Sequence, residues 1–170
     1  KSILIKADIS NPKIFAKNLQ DNHNLNLSNM INVRSFLDHN RIFETPKELI
    51  ENNSIIGSFS KRGTLLKPSE VLQNLIEHFN KWKPYCKKHG LLLLELHTIK
   101  SSLVKLNIGN TLASAYDATH GYSDQYILSL DDFLYAADKS NLKIDKNSAY
   151  RFPNSIIPTV SINFLINKSS

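Results

Sequence analysis

Cysteine and glycine are scarce in this 170-residue chain, with one of the first and five of the second. The lone Cys86 excludes an internal disulfide and fits a reducing compartment, so a cytoplasmic protein is expected. The glycines, Gly57, Gly63, Gly90, Gly109 and Gly121, include no two that are two positions apart, which excludes the G-x-G spacing of nucleotide-binding turns. No apolar run approaches the roughly 20 residues that span a bilayer, and there is no signal-peptide pattern. Internal repeats, low-complexity tracts and compact metal signatures such as H-E-x-x-H are absent as well.

What is present fits one folded domain, with 41% hydrophobic and 21% charged residues. The formal charge is +6 and the pI near 9.4. The lysines are scattered singly or in pairs and do not interleave with aromatics, so they read as solvated surface. Nucleic-acid binding is the weakest of the readings, one that a strongly salt-dependent affinity would support. The chain opens on Lys1 and enters an apolar stretch at once, which gives the expectation of a piece cut from something longer.

The stretch around which the rest is organised is Gly90-Leu-Leu-Leu-Leu-Glu-Leu-His-Thr-Ile99. Four consecutive leucines after a glycine predict a strand buried on both faces, as in a central parallel strand between helices. Its polar end, Glu95 and His97, lies where open α/β sheets bind ligands. Upstream, Ser2–Ala7 predicts a strand, and Asn11-Pro12 starts a helix with the stripe Ile14, Phe15 and Leu19. Met30–Leu37 predicts a second strand that ends in Asp38-His-Asn-Arg41. Thr45-Pro46-Lys-Glu48 has capping-box form and predicts a short helix to Asn52. Residues 54–66 read as a loop or excursion. From Pro68-Ser69 the clearest helix carries Val71, Leu72, Leu75, Ile76, Phe79 and Trp82 on one face, and Pro84 should end or kink it.

Beyond the leucine strand, a helix is expected over Thr111–Ala118. The stretch Asp117-Ala-Thr-His-Gly-Tyr-Ser-Asp-Gln125 then packs two carboxylates, a histidine, hydroxyls and an amide into nine positions. Ser129 caps a helix with an acidic first turn, running to about Asn141. Ile156–Ile166 closes the chain as a hairpin-like pair or one long strand. Alternating strands and helices with a late β region predict an open α/β sheet.

This order of elements resembles the C-terminal portion of a class I S-adenosylmethionine-dependent methyltransferase, a Rossmann-like sheet with antiparallel terminal strands. The stretches Val33–Arg41, Leu94–Ile99 and Ala115–Gln125 are similar to methyltransferase domains of polyketide-synthase loading modules. The resemblance implies a single α/β domain over 1–170 that methylates a small, acyl-type or carrier-bound substrate. It implies cofactor contacts at Asp8, against the adenine, and at Ser35 and Phe36. It also implies a mononuclear divalent metal (iron, manganese or zinc) supporting methylation at carbon. The chain departs from the family in having neither the glycine-rich turn nor the first two strands. The N-terminal cofactor-binding half is therefore the expected partner, and the segment alone is expected to be inactive.

His97, His39 and His120 are the candidates for proton removal, and His97, His120, Gln125 and Asp38 for metal ligands. Each histidine also reads as an ordinary hydrogen-bonded structural residue. Arg34 and Arg41 suit a substrate carboxylate or phosphate, or a helix-end pair. Tyr116 and Tyr122 suit a pocket wall or simple packing; His23, His78 and His89 read as structural or solvated. The rival function is a non-catalytic α/β interaction domain that kept a methyltransferase framework.

Overall fold

A computed structural model describes residues 2–50, 55–110, 123–155 and 157–168. Helix α1 (Pro12–His23) starts as expected, with Asn11 accepting from Ile14 N and Pro12 at N1. The chain passes through a 3-10 turn (Leu27–Asn29) into strand β1 (Asn32–Ser35). A hairpin of β2 (Phe59–Lys61) and β3 (Thr64–Leu66) leads to α2 (Pro68–Cys86), which delivers the chain to β4 (Leu91–Leu96). Then come α3 (Ser101–Asn107), α4 (Leu130–Lys139), β5 (Leu142–Ile144), β6 (Tyr150–Phe152) and β7 (Val160–Asn167).

The main sheet runs β1-β4-β7-β5, with β6 also on β7. β4 pairs parallel with β1, Val33 opposite Leu92, and antiparallel with β7, Leu93 opposite Asn163. This is the expected open α/β sheet with antiparallel terminal strands. Helices α2 and α4 cover the face that carries Leu91, Leu93 and Leu165, against Val71, Leu72, Leu75, Phe79, Phe133, Ala136 and Ala137. Phe79 meets Phe133 edge to face at 5.5 Å. Each such side chain removed from water contributes about 1.5–3 kcal/mol.

Four expectations need correction. The leucine strand is not buried on both faces: Leu92, Leu94 and Leu96 are only partly buried, as are Val160, Ile162, Phe164 and Ile166 beside them on β7. Ser2–Ala7 is no strand; it pairs with none of the described strands, and Leu4 is fully exposed. Residues 45–50 are not helical, because Lys61 Nζ and Asn74 Nδ2 bond the carbonyls of Phe43 and Glu44 and hold the entry extended. The excursion over 54–66 contains the β2–β3 hairpin, turned by Arg62 and Gly63 in positive-φ conformations.

Pro84 falls inside the last turn of α2 and does not end it, since so near the terminus only one intrahelical bond is lost. The predicted helix over 111–118 lies outside the described residues. Gly90 is needed at the entry to β4: its φ is +78°, and a Cβ there would come within 2.5 Å of the Phe164 ring and 2.9 Å of the Leu165 carbonyl.

On the far side of β1 no strand pairs among the described residues. Asn32 N and Phe36 N bond to Gly90 O and Leu94 O, which turns the main-chain groups of Val33 and Ser35 toward that open edge. Val33 is 61% exposed.

Candidate active site at the carboxyl ends of β1 and β4

The helix-covered face of β4 reads Leu91, Leu93 and then Glu95, a carboxylate in the row of leucines, 2% exposed. Such a group must be fully hydrogen-bonded to remain buried. Oε2 accepts from Asp38 N at 2.9 Å and His39 N at 3.3 Å, and Oε1 from Leu96 N at 2.8 Å. His39 Nδ1 lies 2.5 Å from Oε1. Glu95 thereby pins the 3-10 turn Asp38–Asn40 that follows β1. With Nδ1–H donating to the Glu95 carboxylate, His39 Nε2 is left as the acceptor, and Asn40 Nδ2 faces it at 3.0 Å.

Beneath the turn lies a second buried network. Asp38 Oδ1 is 3.1 Å from Arg34 Nη2 and 3.0 Å from His78 Nε2, all three side chains being under 5% exposed. Burial alone would raise the Asp38 carboxyl; Arg34, His78 and Arg41 outweigh it and hold it below the usual carboxylate range. Burial pushes His78 down despite Asp38, so the ring is neutral at pH 7, its Nε2 lying 3.0 Å from both Asp38 Oδ1 and Arg34 Nη1. Arg34 stacks over Trp82 at 4.6 Å. Arg41 reaches Asn74 Oδ1 at 2.7 Å, and the carbonyls of Asp38 and Val71 at 2.9 Å each. Both arginines are therefore committed inside the protein.

His97 is bound differently. Ser161 Oγ, which accepts from Asn163 Nδ2 at 2.7 Å, donates to His97 Nε2 at 2.6 Å, leaving Nδ1 to donate to Leu128 O at 3.4 Å. The ring packs edge to face on Phe133 at 5.2 Å. Burial pushes its pKa down to about 4. A histidine depressed from about 6.5 in the unfolded chain to about 4 in the fold contributes stability that is full above pH 6.5. It is lost as the pH falls through 4, and the loss amounts to about 3 kcal/mol. His78 acts in the same direction. Denaturant melts between pH 7 and 4 are expected to show this decline, and His97→Gln to flatten it.

Two polar networks at the carboxyl ends of parallel strands, on a sheet that turns antiparallel at β7, occupy the ligand-binding end of an open α/β fold. A family model described as the AprA MT2-like domain matches residues 1–163. The chain belongs to this methyltransferase family. No curated protein matches it. For an AprA MT2-like domain the mixed sheet is the Rossmann-like arrangement expected, and no helix among the described residues is long and apolar enough to cross a membrane.

Within this methyltransferase domain the predicted residues divide. Asp38 and His39 share one turn with Glu95, around a cavity of about 10 Å³ that also touches Arg41, Tyr126, Leu128 and Phe133. That is room for about one water. Gln125 is brought near, since Tyr126 N donates to His39 O at 2.8 Å. His97 follows Glu95 by two residues but has both ring nitrogens engaged on β7 and Leu128. His120, Tyr116 and Tyr122 lie outside the described residues.

Ser35 and Phe36 are exposed at the end of β1, with Phe36 at φ +54°. Asp8 is exposed too; it accepts from Ser10 N at 2.8 Å and lines a groove with Asn80, Lys81 and Tyr85 that does not include Ser35 or Phe36. Asp8 thus lines no described cavity together with Ser35 or Phe36. Among the described residues no group of three or more His, Cys, Asp or Glu side chains could hold a metal ion. Asp38 is held by Arg34 and His78, and His97 has no free nitrogen.

Sequence reading missed Glu95 as the partner of His39, Asn40 on Nε2, and Ser161 on His97. The one signal available was the carboxylate at the third position of the Leu91, Leu93 face. The pairing with His39 joins residues 56 positions apart and has no sequence signature.

Proposed function

We propose that this domain is the acceptor-side half of an S-adenosylmethionine-dependent methyltransferase acting on a small acyl-type substrate. The observation that carries the reading is the Glu95–His39 pair at the shared carboxyl end of β1 and β4, in a chain matched over 1–163 by a methyltransferase family. S-adenosylmethionine, when bound, supplies a methyl group already activated for transfer. The chain's own work is to hold the acceptor and remove its proton. His39 suits that work: Nδ1 is oriented by the Glu95 carboxylate, and Nε2 faces Asn40 Nδ2, on an exposed side chain that can turn aside. A proton taken at Nε2 makes an imidazolium beside Glu95, where the charge is balanced. His97 has no lone pair free, so its part in this reading is to join β4 to β7. No step is assigned to a metal, because Asp38 and His97, two of the candidate donors, are committed to other partners.

The open edge of β1 and the half-exposed apolar face beside it support docking of a strand-and-helix unit that completes the cofactor cleft. Asp8, Ser35 and Phe36 would then meet the cofactor from this side. The test is transfer of a labelled methyl group from S-adenosylmethionine to a short acyl thioester. It should use the chain together with whatever its reading frame encodes before it. Incorporation at the carbon next to the carbonyl is expected. A folded protein that binds both compounds and transfers nothing would sink the proposal.

A second reading, a non-catalytic interaction domain on a methyltransferase framework, draws on one observation. The cavity beside His39 has room for about one water, so as it stands no acyl group reaches Nε2. The same transfer experiment separates the two.

A further inference from the structure

The edge of the sheet away from β1 carries a groove that methyl transfer does not use. It has a volume of about 380 Å³ and runs between α4 and the β5–β6 segment. Its floor includes Leu134, Leu142 and Ile144, and its rim carries Lys143, Lys146 and Arg151 against one carboxylate, Asp138. Between positions 134 and 168 there are five cationic side chains against two carboxylates, a concentration of the chain's net positive charge.

Asp138 is ion-paired, and Asp145 caps its own turn. Asp138 pairs with Lys168 at 2.6 Å, and Asp145 accepts from Asn147 N at 3.2 Å and Ser148 Oγ at 2.7 Å. Among the described residues no carboxylate pairs with Lys143, Lys146 or Arg151. Arg151 bonds only main-chain carbonyls, those of Tyr150 and Ile162.

We propose that this groove docks an acidic amphipathic helix of a partner protein. An apolar floor under a cationic rim asks for apolar side chains in a stripe, flanked by carboxylates. A nucleic-acid backbone would leave the floor unfilled, and a membrane surface does not enter a concave groove. The described helices of a second copy do not qualify. The carboxylates of α4 sit on a helix whose apolar face, Phe133, Ala136 and Ala137, is already core, and α1, α2 and α3 carry no net negative charge. The inference is independent of the methyl-transfer reading.

Fluorescence polarisation with a synthetic helical peptide tests it, the peptide having leucines at i, i+3, i+4 and i+7 between glutamates. Micromolar binding is expected, falling at least about tenfold in Lys143→Glu/Lys146→Glu, both exposed positions. A peptide of the same composition in scrambled order should bind at least about tenfold more weakly. Arg151→Gln should also weaken binding, and the melting temperature of each variant shows that it has folded. Absence of binding, equal binding of the scrambled peptide, or indifference to the charge reversals would overturn the proposal. So would anionic vesicles or an oligonucleotide binding the groove more tightly than the peptide.

Discussion

Replacing Asp38 with alanine is expected to destabilise the fold by about 3–5 kcal/mol, enough to leave much of the protein unfolded at 37 °C. Asp38 is 2% exposed and is the carboxylate that balances Arg34, itself 4% exposed and stacked on Trp82. Without it the guanidinium stays buried with only a neutral histidine and an aromatic face beside it. The cost comes chiefly from that stranded charge, more than from one lost bond. A double variant, Asp38→Ala with Arg34→Met, should recover much of the loss, because it removes both charges and keeps volume. Urea melts of the single and double variants measure this directly. A single variant as stable as the parent would show that water reaches Arg34.

Replacing His39 with alanine is expected to lower methyl transfer by about 10²–10⁴-fold in the complete enzyme and to leave S-adenosylmethionine affinity unchanged. Among the described residues, its Nε2 is the ring nitrogen of the cluster whose partner is a surface side chain. Glu95→Gln should slow transfer by a smaller factor, since the ring loses the charge that balances its protonated form. A separate readout is exchange of the acyl α-proton with deuterated water, which follows proton removal without methyl transfer. His97→Ala, by contrast, should act mainly on stability. If His97→Ala abolished exchange and His39→Ala did not, the roles assigned to the two histidines would be reversed.

The elements were largely legible in the sequence. The stripe from Val71 to Trp82, the Ser129 cap and the Asn11-Pro12 start each rest on local spacing and capping chemistry, and each helix forms where expected. The failures were non-local. Ser2–Ala7 has strand composition, yet a strand exists only by pairing, and none of the described strands pairs with it. The Leu91–Leu94 run reads as doubly buried, yet the burial of Leu92 and Leu94 depends on what covers the second face.

The site was legible in kind and not in detail. Polar residues at strand ends marked Asp38, His39, Glu95 and His97. No periodicity distinguishes a histidine tied to Ser161 from one oriented by Glu95, because both partners come from distant strands. The sequence alone suits Arg34 to a substrate carboxylate or phosphate, or to a helix-end pair. Its burial follows from facing the same side of β1 as Asn32, against α2, a consequence of which side of the sheet the helices take.

A domain that forms one side of an S-adenosylmethionine cleft, completed at the open edge of β1, should hold the compound only when the other side is present. Calorimetric titration of S-adenosylmethionine, into the chain and into the chain with whatever its reading frame encodes before it, tests this most directly. No measurable heat of binding is expected for the chain alone, and a saturable one-to-one isotherm for the longer protein, weakened by Asp8→Ala. Two folded proteins that both fail to bind, or a chain that binds as tightly by itself, would contradict it.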